Sequence, residues 1–333
     1  KAHVLRARAV LQLAWAYRRV GQDAKAREFL EKGVEIVKQI SPGTGKVIVE
    51  SQIYAELGAD FTRTGESERA VEYISYALQI QDSELSYLKR SPGISRQVVK
   101  NFQETMILTL ERLGMARRSA GNIGEPIRAY ERALELAADS GLATTTTTSR
   151  IYVELGTLYF GQKNFPRALE NLQQALAVAE QLEYPHVVQR ASNLLGNVMR
   201  QSQRPFEAIA FYKKAIESIE TNRSQLESDE FRSGFFEGQM TTYTNIIRAH
   251  LGQRNEEDAF NYNERARSRA FLDIMGNKVR LARERTRPDE AQVLQAKIDE
   301  LKARVGGQRE VANGEGGDNR IQQRQELASA EKA

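Results

Sequence analysis

The dipeptide Leu-Gly recurs at Leu57-Gly58, Leu113-Gly114, Leu155-Gly156 and Leu195-Gly196, and each copy opens a passage of the same character. Self-similarity at a spacing of tens of residues constrains a fold strongly, because each copy is then one supersecondary unit. With Leu-Gly numbered as positions 7 and 8 of a unit, position 4 is Tyr54, Leu110, Tyr152 and Ser192, and position 11 is Phe61, Arg117, Tyr159 and Met199. Position 20 is Ala70, Pro126, Ala168 and Ala208, position 24 is Ile74, Tyr130, Leu172 and Tyr212, and position 27 is Ala77, Ala133, Ala175 and Ala215. Two further copies share the phase: Leu13, Ala14, Tyr17, Ala26, Leu30 and Gly33 at the front, and Tyr243, Ile246, Ile247, His250, Ala259 and Ala266 near the end.

These offsets suit two helices per unit. Small residues at 8, 20 and 27 let the two helices approach, and large apolar residues at 4, 7, 11 and 24 fill the gaps between pairs. One pair cannot bury its apolar face alone, so stacked neighbours bury it for each other. Gly21, Gly65 and Gly121 fall at position 15, where a first helix must turn. The units begin near residues 7, 51, 107, 149, 189 and 240. That spacing requires extended second helices or long connections. Ser41-Pro42-Gly43 and Ser91-Pro92-Gly93 read as matching turns, and the run Thr144–Thr148 as a helix start.

The pattern resembles the tetratricopeptide repeat (TPR) family over about residues 1–275, with Pro126, Arg117 and Asn263 departing from it. The resemblance implies an all-α fold, a right-handed superhelix or α-solenoid; the residues after it are expected to form a helical, coiled-coil extension. It also implies a concave face lined by positions 2, 5, 9, 12 and 13 of each first helix. Those positions hold Arg8, Trp15, Arg18, Arg19, Gln52, Arg63, Glu111 and Phe160. They also hold Arg118, Arg150, Arg190, Asn193, Asn197, Arg200 and Arg248, which with Asn245 are the residues expected to contact a partner. Asn offers a peptide backbone both a donor and an acceptor, and Arg grips a carboxylate with two parallel hydrogen bonds. The expected partner is a protein or peptide, acidic or presenting a chain terminus. Asn197 with Asn245 is similar in part to the carboxylate clamp of chaperone-binding TPR domains, with Asn193 where the clamp has its first Lys or Arg.

Residues 276–333 read as a second region, a basic linker and helical tail. From Arg265 to Arg287 there are eight basic and two acidic residues, an excess of six against a net charge of +4 for the whole chain. Leu294, Ile298, Leu301 and Val305 form a narrow apolar seam on a helix; residues 306–319 read as a glycine-rich loop and 320–333 as a polar helix. Glu264 to Asp273 resembles the junction in bacterial TPR proteins that carry a CHAT domain, a caspase-like protease. That resemblance implies a protease domain in cis beyond Ala333. The start, Lys1-Ala2-His3-Val4, enters a helical pattern directly and reads as a cut fragment.

Several function classes fall away. The chain has no Cys, which excludes disulfides, thiolate metal sites and a cysteine nucleophile within it. His3, His186 and His250 lack metal-ligand spacing, and His250 sits at position 11, a packing site. No phosphate loop or nucleophile elbow is present. The expectation is a chain that is not an enzyme, with no cofactor and no metal. No apolar run reaches the roughly 18 residues of a membrane span, and a cytoplasmic location is expected. Nucleic-acid binding is disfavoured, since Phe271 is the only aromatic residue in the basic stretch 265–287. Two readings follow: a protein-binding scaffold or sensor that regulates an attached CHAT protease, or a free-standing adaptor for a regulator or signalling peptide. A nucleic-acid or membrane-surface binder acting through 265–287 comes third.

Overall fold

A computed structural model describes residues 2–19, 21–224 and 239–283. The seam Leu294–Val305, the glycine-rich run 306–319 and the tail 320–333 lie outside the described residues. The described residues form α-helices and no strand. The first helices of the six pairs are α1 (Ala2–Arg19), α3 (Thr44–Thr64), α5 (Arg96–Ser119), α7 (Thr146–Gly161), α9 (Pro185–Gln201) and α11 (Met240–Gly252). The second helices are α2 (Asp23–Lys38), α4 (Ser67–Arg90), α6 (Gly124–Asp139), α8 (Phe165–Gln181), α10 (Pro205–Ser224) and α12 (Glu256–Arg283). The chain divides into two compact units, residues 1–222 with 244–259, and residues 223–243 with 260–333. The helix α12 runs unbroken past residue 275.

In the first unit each first helix from α1 to α7 packs on the second helix that follows it, and each second helix from α2 to α8 packs on the next first helix. Neighbouring first helices from α1 to α9 also touch one another, so they share one face. The long step between the second and third repeats comes from α4 and α5, each 24 residues. Ser91-Pro92-Gly93 turns the chain between them, and Pro cannot continue a helix there. The threonine run starts α7: the Thr145 side chain accepts from the Thr148 N–H, and the Thr148 hydroxyl accepts from the Thr145 N–H. Pro126 lies in the first turn of α6, where its missing N–H costs nothing.

All six first helices end alike. The N–H of position 16 donates to the carbonyl of position 11 in every repeat: Gln22 to Tyr17, Glu66 to Phe61, Asn122 to Arg117, Asn164 to Tyr159, Arg204 to Met199 and Asn255 to His250. This is the Schellman closure, and it needs a left-handed residue at position 15. Gly21, Gly65 and Gly121 supply it in the first three repeats, whereas Lys163, Gln203 and Arg254 adopt it with φ of 59°, 59° and 56°.

Position 8 is glycine for a different reason. A Cβ on Gly156 would lie 2.5 Å from Leu172 Cγ, and one on Gly58, Gly114 or Gly196 would overlap Ile74, Tyr130 or Tyr212, the position-24 side chain of the same repeat. The recurrent Leu-Gly is therefore the mark of two helices in backbone-to-side-chain contact.

One expectation from the phase is corrected. Leu13 at position 7 is exposed, although Leu57, Leu113, Leu155 and Leu195 are buried. Positions −1, 3, 7 and 10 face the preceding pair: Val187, Ala191, Leu195 and Val198 are buried there in α9. No pair precedes α1 among the described residues, so its equivalents Leu5, Ala9, Leu13 and Ala16 are exposed.

Candidate ligand-binding face

The face shared by the first helices carries most of the residues singled out above, and it treats them in two ways. From α1 to α9 several of the arginines, Arg18, Arg63, Arg118, Arg150 and Arg190 among them, are held by carboxylates of the same chain. Glu56 is buried and accepts from Arg18 Nη1 and Arg112 Nη2, each at 2.5 Å, so one carboxylate bridges α1, α3 and α5. Glu154 does the same for α5, α7 and α9, taking Arg118 on one oxygen and Arg190 at 2.9 Å on the other. Arg150 grips Glu111 through Nε and Nη2, both at 2.8 Å. Buried Asp60 takes Arg27 and Arg63 at 2.5 Å each, with Arg18 at 3.5 Å.

The physics of this ladder is a balance of burial against pairing. Burial alone would raise the Glu56 carboxyl. The Arg112 and Arg18 charges, with hydrogen bonds from Arg112 and the Trp15 indole, outweigh it and hold Glu56 below its ordinary value. Hydrogen bonding to Glu111 raises the Arg150 guanidinium despite its desolvation. Arg118, Arg150 and Arg190 are thus tie-rods between repeats. The two-pronged grip on a carboxylate is present at Arg150, and its carboxylate belongs to Glu111.

The fifth and sixth repeats differ. Asn245 Nδ2 donates to Asn193 Oδ1 at 3.1 Å and to Asn197 Oδ1 at 3.3 Å. The Tyr212 hydroxyl also donates to Asn197 Oδ1, at 2.8 Å. Both Asn carbonyl oxygens thus accept a bond, and the amide N–H groups of Asn193 and Asn197 donate none among the described residues. Arg200 lies one turn beyond Asn197 on α9, and Arg248 lies one turn beyond Asn245 on α11. Both are exposed, and neither has a carboxylate partner among the described residues. The structure thus brings Asn193, Asn197 and Asn245 together, and leaves the cluster with amide donors and two uncompensated cations.

Of the ladder's carboxylates only Glu111 was singled out from sequence; Glu56, Asp60 and Glu154 were not. The signal of Glu56 and Glu154 is present: the tripeptide Glu-Leu-Gly occurs at 56–58 and again at 154–156, placing a carboxylate at position 6 beside a packing pair. His250 is buried at position 11, and desolvation lowers its pKa despite the opposing charge of Asp258. Among the described residues there is no group of three or more His, Asp or Glu able to hold a metal ion, and no helix is long and apolar enough to cross a membrane.

Residues 7–37 and 105–181 each match a tetratricopeptide repeat family model. No curated protein matches the chain. Among solved structures, the chain is similar to BtubC from P. vanneervenii, with 14% identity, coverage of 86% of this chain and 94% of that one, and a TM-score of 0.51. It is similar to apo RapI, with 10% identity, coverage of 82% and 97%, and a TM-score of 0.55. A signal-transduction ATPase of the STAND type with a tetratricopeptide repeat sensor, from Pyrococcus horikoshii, gives 16% identity, coverage of 81% of this chain and 37% of that one, and a TM-score of 0.54. At such identities the likeness is one of fold. The chain carries tetratricopeptide repeats and is an all-helical solenoid of that type, a scaffold suited to protein–protein interaction. Scaffolds of this fold are typically non-catalytic.

Proposed function

We propose that this chain binds an extended acidic peptide segment of a protein partner on the inner face of its fifth and sixth repeats. The observation that supports the reading is the Asn193–Asn197–Asn245 cluster, flanked by Arg200 and Arg248. With both Asn carbonyls held, the cluster presents donors to the ligand, and donors select peptide carbonyls and carboxylates. Two exposed cations with no carboxylate partner among the described residues add charge attraction that salt weakens. The ladder from α1 to α9 ties those helices together, and its arginines are paired with its own carboxylates.

A fluorescein-labelled hexaglutamate peptide tests this by anisotropy. Saturable binding that weakens as salt rises is expected. Arg200→Ala should weaken it about tenfold while moving thermal stability little, because its side chain is exposed. Asn197→Ala should weaken it similarly and cost about 1 kcal/mol of stability, because Asn245 and the buried Tyr212 hydroxyl lose their acceptor. Absence of saturable binding, or variants that lose stability and not affinity, would contradict the reading.

The finer reading, that binding regulates a CHAT protease joined beyond α12, rests on the resemblance at Glu264–Asp273. That segment lies on α12, where Arg267 pairs with Glu264 at 3.1 Å and Arg265 lies over the Tyr262 ring. Sequencing the natural reading frame past Ala333 tests it. A domain holding a catalytic His and Cys would support it, and a stop codon soon after Ala333 would favour a free-standing adaptor.

A further inference from the structure

At the opposite end of the same face, α1 and α3 enclose a notch of about 210 Å³ that the asparagine cluster does not reach. It is open to solvent and lined by Leu11, Ile48 and Trp15 with Gln12, Gln52 and Arg8. Leu11 is buried, whereas Trp15 keeps 41% of its surface exposed.

Trp15 lies one turn before Arg18 on α1, and Arg18 is fixed by Glu56 and Asp60. The part-exposed indole ring is thus available as one side of the notch. A cavity of about 150 Å³ suffices for benzene, so this notch admits a phenyl ring. Arg8 stands at its rim, exposed, with no carboxylate partner among the described residues. The amides of Gln12 and Gln52 supply donors and acceptors beside it.

We propose that this notch is a second ligand subsite, which takes an aromatic side chain from a partner segment in which a carboxylate lies next to the ring. The ring stacks on Trp15 over Leu11 and Ile48, and the carboxylate meets Arg8. Stacking of aromatic rings and a single exposed ion pair each contribute modestly, so the subsite anchors a longer segment and does not capture one alone.

Trp15 is the only tryptophan in the chain, so its indole N–H gives one isolated NMR resonance that reports on the notch. The probes are N-acetylphenylalanine, its uncharged amide, and N-acetylalanine, each titrated into the full chain. The expected result is a saturable shift of the indole signal with N-acetylphenylalanine, about threefold weaker binding of the amide, as for an exposed ion pair, and no shift with N-acetylalanine. In Arg8→Ala, whose exposed side chain is not needed for folding, the acid and the amide should bind equally. No shift with N-acetylphenylalanine, or the same shift with N-acetylalanine, would overturn the subsite. Equal affinity of acid and amide in the unaltered chain would overturn the assigned ligand class. Because these probes are read at Trp15, and Arg200→Ala should leave them unchanged, failure here is distinct from failure of the asparagine site.

Discussion

The first four repeats and the last two are built on the same helix pairs, yet they handle charge on the shared face in opposite ways. From α1 to α9 each inner arginine of the ladder meets a buried carboxylate, and a single Glu56 or Glu154 joins three successive first helices. Between α9 and α11 the carboxylate is replaced by Asn245, the bridge becomes neutral, and Arg200 and Arg248 keep their charge. An ion pair between repeats costs desolvation and holds register; a neutral bridge holds register less firmly and frees the cations for a ligand. Arginine content alone therefore says little about where such a face binds.

The largest expected effect probes the ladder. Glu154→Ala leaves Arg118 and Arg190 facing one another without their counter-ion, and should lower unfolding stability by about 3 kcal/mol. Asn245→Ala removes neutral, partly buried hydrogen bonds and should cost about 1 kcal/mol. Urea denaturation measures both, and equal costs would erase the distinction between the two regions. Acid sharpens it next. Glu56 is held below its ordinary pKa, so its contribution is complete above about pH 4.5 and is lost as pH falls through the folded value. An Asn245→Ala background should keep that acid sensitivity, whereas Glu56→Gln should flatten the stability profile in this window.

The smallest effect concerns the turns. Position 15 is glycine in the first three repeats, while Lys163, Gln203 and Arg254 are forced left-handed in the last three. Lys163→Gly should raise stability by up to about 1 kcal/mol, because relief of strain is partly offset by the greater freedom of the unfolded chain. Thermal unfolding of this variant beside Gly121→Ala, which should lose a similar amount, tests whether all six turns share one geometry.

Most of the fold was legible because its constraints are steric and repeat. Leu-Gly marks where Tyr130 or Leu172 presses on a helix backbone, and only glycine fits there. The exposure of Leu13 was not legible from the phase, since position 7 is buried by the preceding pair and not by its own. The candidate site was legible in part. The helix period put Asn193, Asn197 and Arg200 on one face, and Asn245 and Arg248 on the facing helix. What it could not give was pairing across repeats: Arg118 to Glu154 spans 36 residues and Arg112 to Glu56 spans 56, and no local pattern encodes such separations. The repeated Glu-Leu-Gly was the trace of that pairing.

The most direct measurement of the central claim is the affinity of labelled hexaglutamate for three forms: the unaltered chain, Arg200→Ala with Arg248→Ala, and Arg118→Ala. Arg118→Ala leaves Glu154 bound to Arg190, so the ladder is weakened and not dismantled. The account predicts a loss of tenfold or more for the double variant, and a change within about twofold for Arg118→Ala. A larger loss from Arg118→Ala than from the double variant would place the ligand on the ladder and contradict the account.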